Sequence, residues 1–121
     1  MIKNIKIANI LPLTENYSIK NSGAASLLVR DNIKYSIFNH SVFGSTENQD
    51  YPTKNYFNIK MKKGFFHSAN MHYSKQLIKH FKNKKFDIVE IHNRPEIAIN
   101  IKKEINVKTF LYFHNDPLSL R

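Results

Sequence analysis

The chain has 121 residues, about one domain's worth, and 41% of them are hydrophobic, enough apolar material for one core of ordinary size. It has no cysteine, which excludes disulfides and thiolate metal sites; a metal would need histidine and carboxylate, and a reducing, intracellular compartment fits. Nineteen Lys and Arg against nine Asp and Glu give a formal charge of +10, a field that favours anionic partners such as phosphorylated molecules, acidic lipid or nucleic acid.

Residues 5–11 form a short apolar run closed by Pro12 and are expected to be a first strand rather than part of a signal peptide, since no small-residue cleavage site follows. No apolar run approaches the roughly 20 residues that span a bilayer, so membrane contact would be peripheral. Residues 14–22 are polar and lead to Gly23. Ala24, Ala25, Leu27, Leu28 and Val29 then suggest a helix, with Asn21 or Ser22 as its N-cap. Residues 35–38 read as a second strand and 44–54 as a loop. Residues 56–61 alternate and read as a half-buried strand towards the sheet edge, broken by Gly64.

From Ser68 onward, Met71, Leu77, Ile78 and Phe81 recur at helical spacing, with Lys75, Lys79, His80 and Lys82 largely between them. This predicts an amphipathic helix with a basic outer face, extended by Lys84 and Lys85, that could rest on anionic headgroups or simply be solvated. Residues 86–91 are a strand rich in branched side chains. Pro95 suits the first turn of the next helix, whose Ile97, Ile101 and Ile105 repeat every four residues, and residues 107–113 are a last strand.

Strands alternating with helices predict an α/β, Rossmann-like parallel sheet with flanking helices, whose ligands bind outside the carboxyl ends of the strands. Three polar clusters belong on that edge. Ser22, Gly23 and Ala24 open a helix where a glycine admits close approach to the backbone and the dipole favours phosphate; an ordinary capped helix has the same appearance. His92, Asn93 and Arg94 follow a strand: His92 can carry a proton, Arg94 can clamp a phosphate or carboxylate, and Asn93 can cap the helix at Pro95. His114, Asn115 and Asp116 end an apolar strand, either as a site or as a turn before Pro117. No third ligand stands at a recognised spacing, so no metal is expected.

Three segments, NSGAASLLVRDN, FDIVEIHNRPE and VKTFLYFHNDP, resemble, in that order, the N-terminal domain of GT-B glycosyltransferases of the family 4 type. The resemblance spans essentially the whole chain, and its most specific parts are IHNRP and FHND. It implies the first half of a GT-B architecture, with residues 1–121 as an incomplete acceptor-side domain and the nucleotide-sugar domain absent. It further implies that Ser22, Gly23 and Ala24 face the donor diphosphate and that His114 lies near the transferred sugar as the catalytic position. His92, Asn93, Arg94, Asn115 and Asp116 would line the substrate cleft.

The implied reaction is transfer of a sugar from a nucleotide sugar to a hydroxyl of a glycan or lipid-linked acceptor, as in lipopolysaccharide synthesis. It needs no cofactor beyond the donor substrate, and takes place in the cytoplasm or at the inner membrane face. These residues alone are expected to be inactive. The rival reading is a stand-alone basic α/β binding module for phosphorylated ligands or nucleic acid, without catalysis. Nucleic acid is not the expected partner, because no helix-turn-helix, zinc site or aromatic RNA-binding strand is visible.

Overall fold

The computed structural model describes residues 4–47, 50–61 and 68–113. Within them the chain is α/β: β1 (Lys6–Ile10), α1 (Ala24–Lys34), β2 (Asn39–Gly44), β3 (Tyr56–Asn58), α2 (Ala69–Asn83), β4 (Ile88–His92), α3 (Pro95–Glu104) and β5 (Lys108–Tyr112). The five strands form one sheet in the order β3-β2-β1-β4-β5, and every pairing is parallel. This is the Rossmann-like arrangement expected from the alternation of elements.

The strand order sets the layers. From β1 the chain steps one way to β2, whereas β3 to β4 and β4 to β5 step the other way, so crossovers of one hand must place their helices on opposite faces. The packing agrees. Val29 of α1 packs with Leu11, Tyr17 and Val42 on one face. On the other, Tyr73, Leu77, Ile78 and Phe81 of α2 and Ile97 and Ile101 of α3 pack with Ala8, Ile10, Phe43, Val89 and Ile91. Phe43 is the hub: its ring stacks on Phe57 at 5.0 Å and meets Phe81 and Phe86 edge-on at 5.4 and 5.8 Å. The period-two side-chain alternation assigns neighbouring residues of β1 to different cores, with Ala8 and Ile10 towards α2 and Asn9 and Leu11 towards α1.

Three strand boundaries differ from expectation by more than one residue. The second strand is Asn39–Gly44, not residues 35–38; Tyr35 and Ile37 are 80% and 81% exposed and belong to the turn after α1, which runs on to Lys34. The local apolar run ends at Phe38, whereas the buried residues of the strand, Val42 and Phe43, lie beyond three polar positions, Asn39, His40 and Ser41. The third strand stops at Asn58, although it is the edge strand as expected, and β4 starts at Ile88, leaving Phe86 to pack from outside the strand. Gly64 lies outside the described residues. The starts of α2 and α3 are as expected: the Ser68 side chain accepts from the Met71 N–H at 3.2 Å, and Pro95 occupies the first turn of α3.

Candidate functional site at the carboxyl edge

In a sheet ordered this way the chain leaves β1 in both directions, so the carboxyl ends of β1 and β4 flank a crevice where α/β proteins bind ligands. The loop from β1 into α1 forms one side, and His92, Asn93 and Arg94 at the end of β4 form the other. Beneath this edge Tyr73 of α2 is fully buried in the core. Its hydroxyl donates to the Leu11 carbonyl at 2.9 Å and reaches the Phe43 carbonyl at 3.2 Å, so it satisfies groups at the ends of β1 and β2 inside the core. Burial and the nearby Tyr56 hold the Tyr73 phenol far above its ordinary range, so it stays a neutral donor.

Among the described residues two non-glycine residues have left-handed backbones, and both stand on this edge, one after each flanking strand: Thr14 at φ 63° and Asn93 at φ 60°. Asparagine tolerates this region, but a β-branched threonine there is strained, a condition that clusters at functional sites. Thr14 is held by its N–H donating to Ser45 Oγ at 2.8 Å. Asn93 is pinned by its N–H donating to the Tyr112 carbonyl at 2.8 Å, while Arg94 Nη1 donates to the Asn93 carbonyl at 2.9 Å. The guanidinium is thus folded back over the strand end.

On the β1 side, the α1 N-cap is Gly23, not Asn21 or Ser22, and no side chain caps it. Ser22 instead closes its own turn: its hydroxyl donates to the Ser18 carbonyl at 2.6 Å and accepts from the Ser18 N–H at 3.2 Å. The Gly23 N–H is directed to the Asn16 carbonyl at 3.3 Å. Ala24 is exposed at the first helical position. Sequence reasoning missed Glu15. Its carboxylate accepts from Ser26 Oγ at 2.6 Å in the first turn of α1, a turn with no acidic residue of its own. A carboxylate of this chain therefore takes the place beside the helix start that suits an anion.

On the β4 side His92 is buried, only 1% exposed, and its ring stacks on Tyr112 at 5.4 Å with 16° between planes. The Tyr112 hydroxyl donates to Glu90 Oε1 at 3.3 Å, and burial raises the Glu90 carboxyl above its ordinary range against the lowering effect of that bond. His92 forms part of the wall and does not project from it. Asn93 does not cap α3, whose N-cap is Arg94, without a side-chain hydrogen bond. His114, Asn115 and Asp116 lie outside the described residues.

The sheet order thus puts the Gly23 segment, which opens α1, and the His92 to Arg94 segment, which follows β4, on the same carboxyl edge of the sheet. Among the described residues no group of three His, Asp or Glu could hold a metal, and no helix is long and apolar enough to cross a membrane. Compared with protein-family models and with curated proteins, the chain finds no match.

Proposed function

We propose that the chain is the acceptor-side domain of a glycosyltransferase, acting in the cytoplasm or at the inner membrane face. It would transfer a sugar from a nucleotide sugar to a hydroxyl of a lipopolysaccharide-type or other surface glycan acceptor, together with a second, nucleotide-gripping domain. One observation supports the reading: the sheet order brings the NSGA segment and the HNRP segment, two of the three motifs that resemble family 4 glycosyltransferases, to the same carboxyl edge, where α/β sheets bind ligands.

In this reading Gly23 lets the donor diphosphate approach the α1 N-terminus, once Glu15 swings out of that position. Arg94 turns from the Asn93 carbonyl to the incoming anion, a bidentate partner for phosphate. The acceptor oxygen bonds to the anomeric carbon as the bond to the diphosphate breaks, and the hydroxyl proton leaves with the diphosphate. Positioning and stabilisation of that departing charge supply the rate. His114 stands near the transferred sugar in this scheme.

The test is a titration of the ¹⁵N-labelled chain with uridine- and guanosine-diphosphate sugars, followed by amide shifts. Shifts at Gly23, Ala24, Asn93 and Arg94 are expected. Saturating additions that leave all four unmoved would remove the assignment of this crevice.

A further inference from the structure

A second cleft, of about 450 Å³, opens on the opposite edge of the sheet, among the amino ends of β1 and β2, the approach to β3 and the end of α2. Lys6, Lys84 and Lys85 line it, and among the described residues no aspartate or glutamate does. Between the lysines stand three amides, Asn39, Asn55 and Asn83; Asn55 and Asn83 can each donate two hydrogen bonds, and Asn39, whose Nδ2 already donates to Asn4 Oδ1 at 3.2 Å, one more.

The lysines have one ordinary explanation, because cations after a helix complement its dipole. The end of α2 supplies roughly half a negative charge, however, against three ammonium groups, so the dipole leaves most of the charge uncompensated. Asp87 is the nearest carboxylate along the chain. It accepts from the Lys6 backbone N–H at 2.8 Å and lines the neighbouring groove with Lys82 and Lys85, the latter shared between groove and cleft, so one carboxylate stands against the lysines of this edge.

Lys84 is also held in place. Its Nζ lies 3.7 Å from the centroid of the Phe57 ring, whose parallel stack with Phe43 fixes it to the core. His40, which also borders the cleft, contributes no charge. The Asn9 amide nitrogen donates to the Ser41 carbonyl at 3.2 Å and so must also donate to His40 Nδ1 at 3.0 Å, leaving the proton on Nε2, which meets Ser36 Oγ at 2.8 Å.

We propose that this amino-edge cleft binds a phosphate-bearing anion, at a site separate from the carboxyl-edge crevice. The phosphate of a soluble ester and that of a lipid headgroup present the same chemistry to it. Three lysines and three amides suit a multiply charged, oxygen-rich group, and the volume is at the scale of small-ligand sites.

Inorganic pyrophosphate is the probe for a soluble ligand, and vesicles of phosphatidylcholine with or without phosphatidylglycerol are the probe for a headgroup. Amide shifts of the labelled chain at Asn39, Asn55, Asn83 and Lys85 are expected with pyrophosphate. If only the phosphatidylglycerol vesicles bind, with the same lysine dependence, the phosphate is a headgroup's.

Lys6→Gln/Lys84→Gln/Lys85→Gln should weaken binding at least tenfold, and Lys34→Gln, a lysine on α1 away from the cleft, less than twofold. Lys6→Gln/Lys85→Gln, which keeps the Lys84–Phe57 contact, serves if the triple variant does not fold. Equal weakening by Lys34→Gln, or no cleft shifts with either probe, overturns the proposal. Shifts at Gly23 and Arg94 report on the other crevice and are scored apart from these.

Discussion

Glu15 occupies the space that a side chain on Gly23 would need: a Cβ built there would stand 2.7 Å from Glu15 Cγ and 2.8 Å from its Cδ and Oε1. The Gly23 backbone itself is ordinary, with φ at −73°, so the glycine is required for this approach and not for a special turn. The obstructing atoms belong to a movable side chain. Gly23→Ala should therefore cost about 1–3 kcal/mol in an otherwise unchanged chain, as overpacking does. In a Glu15→Ala background the same change should cost nearly nothing. Denaturant unfolding of the four proteins in this cycle checks it; additive losses would mean that the two residues do not share the space.

The same pair bears on the proposed donor site. Glu15→Gln keeps an acceptor for Ser26 but removes the charge beside the start of α1. If a diphosphate must replace that carboxylate, the uncharged variant should bind uridine-diphosphate sugars several-fold more tightly. Calorimetric titration gives the answer, and an unchanged or weaker affinity would place the diphosphate elsewhere.

Tyr73 ties α2 to the ends of two strands through one hydroxyl. Tyr73→Phe removes only that oxygen and leaves the buried Leu11 carbonyl short of a partner, whereas the Phe43 carbonyl keeps the Leu11 N–H at 2.9 Å, a loss of about 1–3 kcal/mol. Chemical denaturation should show this with the slope of the transition unchanged. A neutral outcome would mean that water or a local shift satisfies the Leu11 carbonyl.

Burial holds His40 below its ordinary value of 6.5, and burial followed by the neighbouring Lys84 does the same for His80. The unfolded chain therefore takes up these protons first as pH falls. The stability that depends on neutral rings is complete above about pH 6.5 and is lost as pH falls through 6.5 towards the folded values. Melting temperature should drop between pH 7.5 and 5.5. His40→Gln, which keeps an acceptor for Asn9, should flatten the drop, and adding His80→Gln should flatten it further. An identical slope in all three proteins would exclude both rings as its source.

How much of this was legible in the sequence depends on how local the signal is. The α2 and α3 starts were readable because Ser68 and Pro95 act within one turn. The parallel sheet followed from alternation of element types, and β3 as an edge strand from its half-polar pattern. The second strand was not readable from the run at Tyr35 to Phe38, because Val42 and Phe43 are chosen by pairing with Asn9 and Ile10, 33 residues earlier in register. Glu15 was invisible for a similar reason. It lies eight residues before Gly23 in a polar loop, and nothing in the spacing says that the loop folds back onto the first turn of α1. The burial of His92 depends on Tyr112 in the adjacent strand, a pairing that only the fold creates.

That β4–β5 face gives the last prediction. Glu90 is half-buried beside Tyr112, and burial favours its protonated form. The folded state therefore binds the Glu90 proton more tightly than the unfolded chain does. The stability this lends is fully present below about pH 4.5 and is lost as pH rises through the folded value, so the ionised carboxylate is a liability at neutral pH. Glu90→Gln retains an acceptor for the Tyr112 hydroxyl and carries no charge. At pH 7 it should melt at the same temperature as the parent or a few degrees higher, and the difference should shrink as both are taken to pH 4.5. A variant that is clearly less stable at pH 7 would show that the Glu90 charge is held by a favourable partner, contrary to a carboxylate whose main influence is its own desolvation.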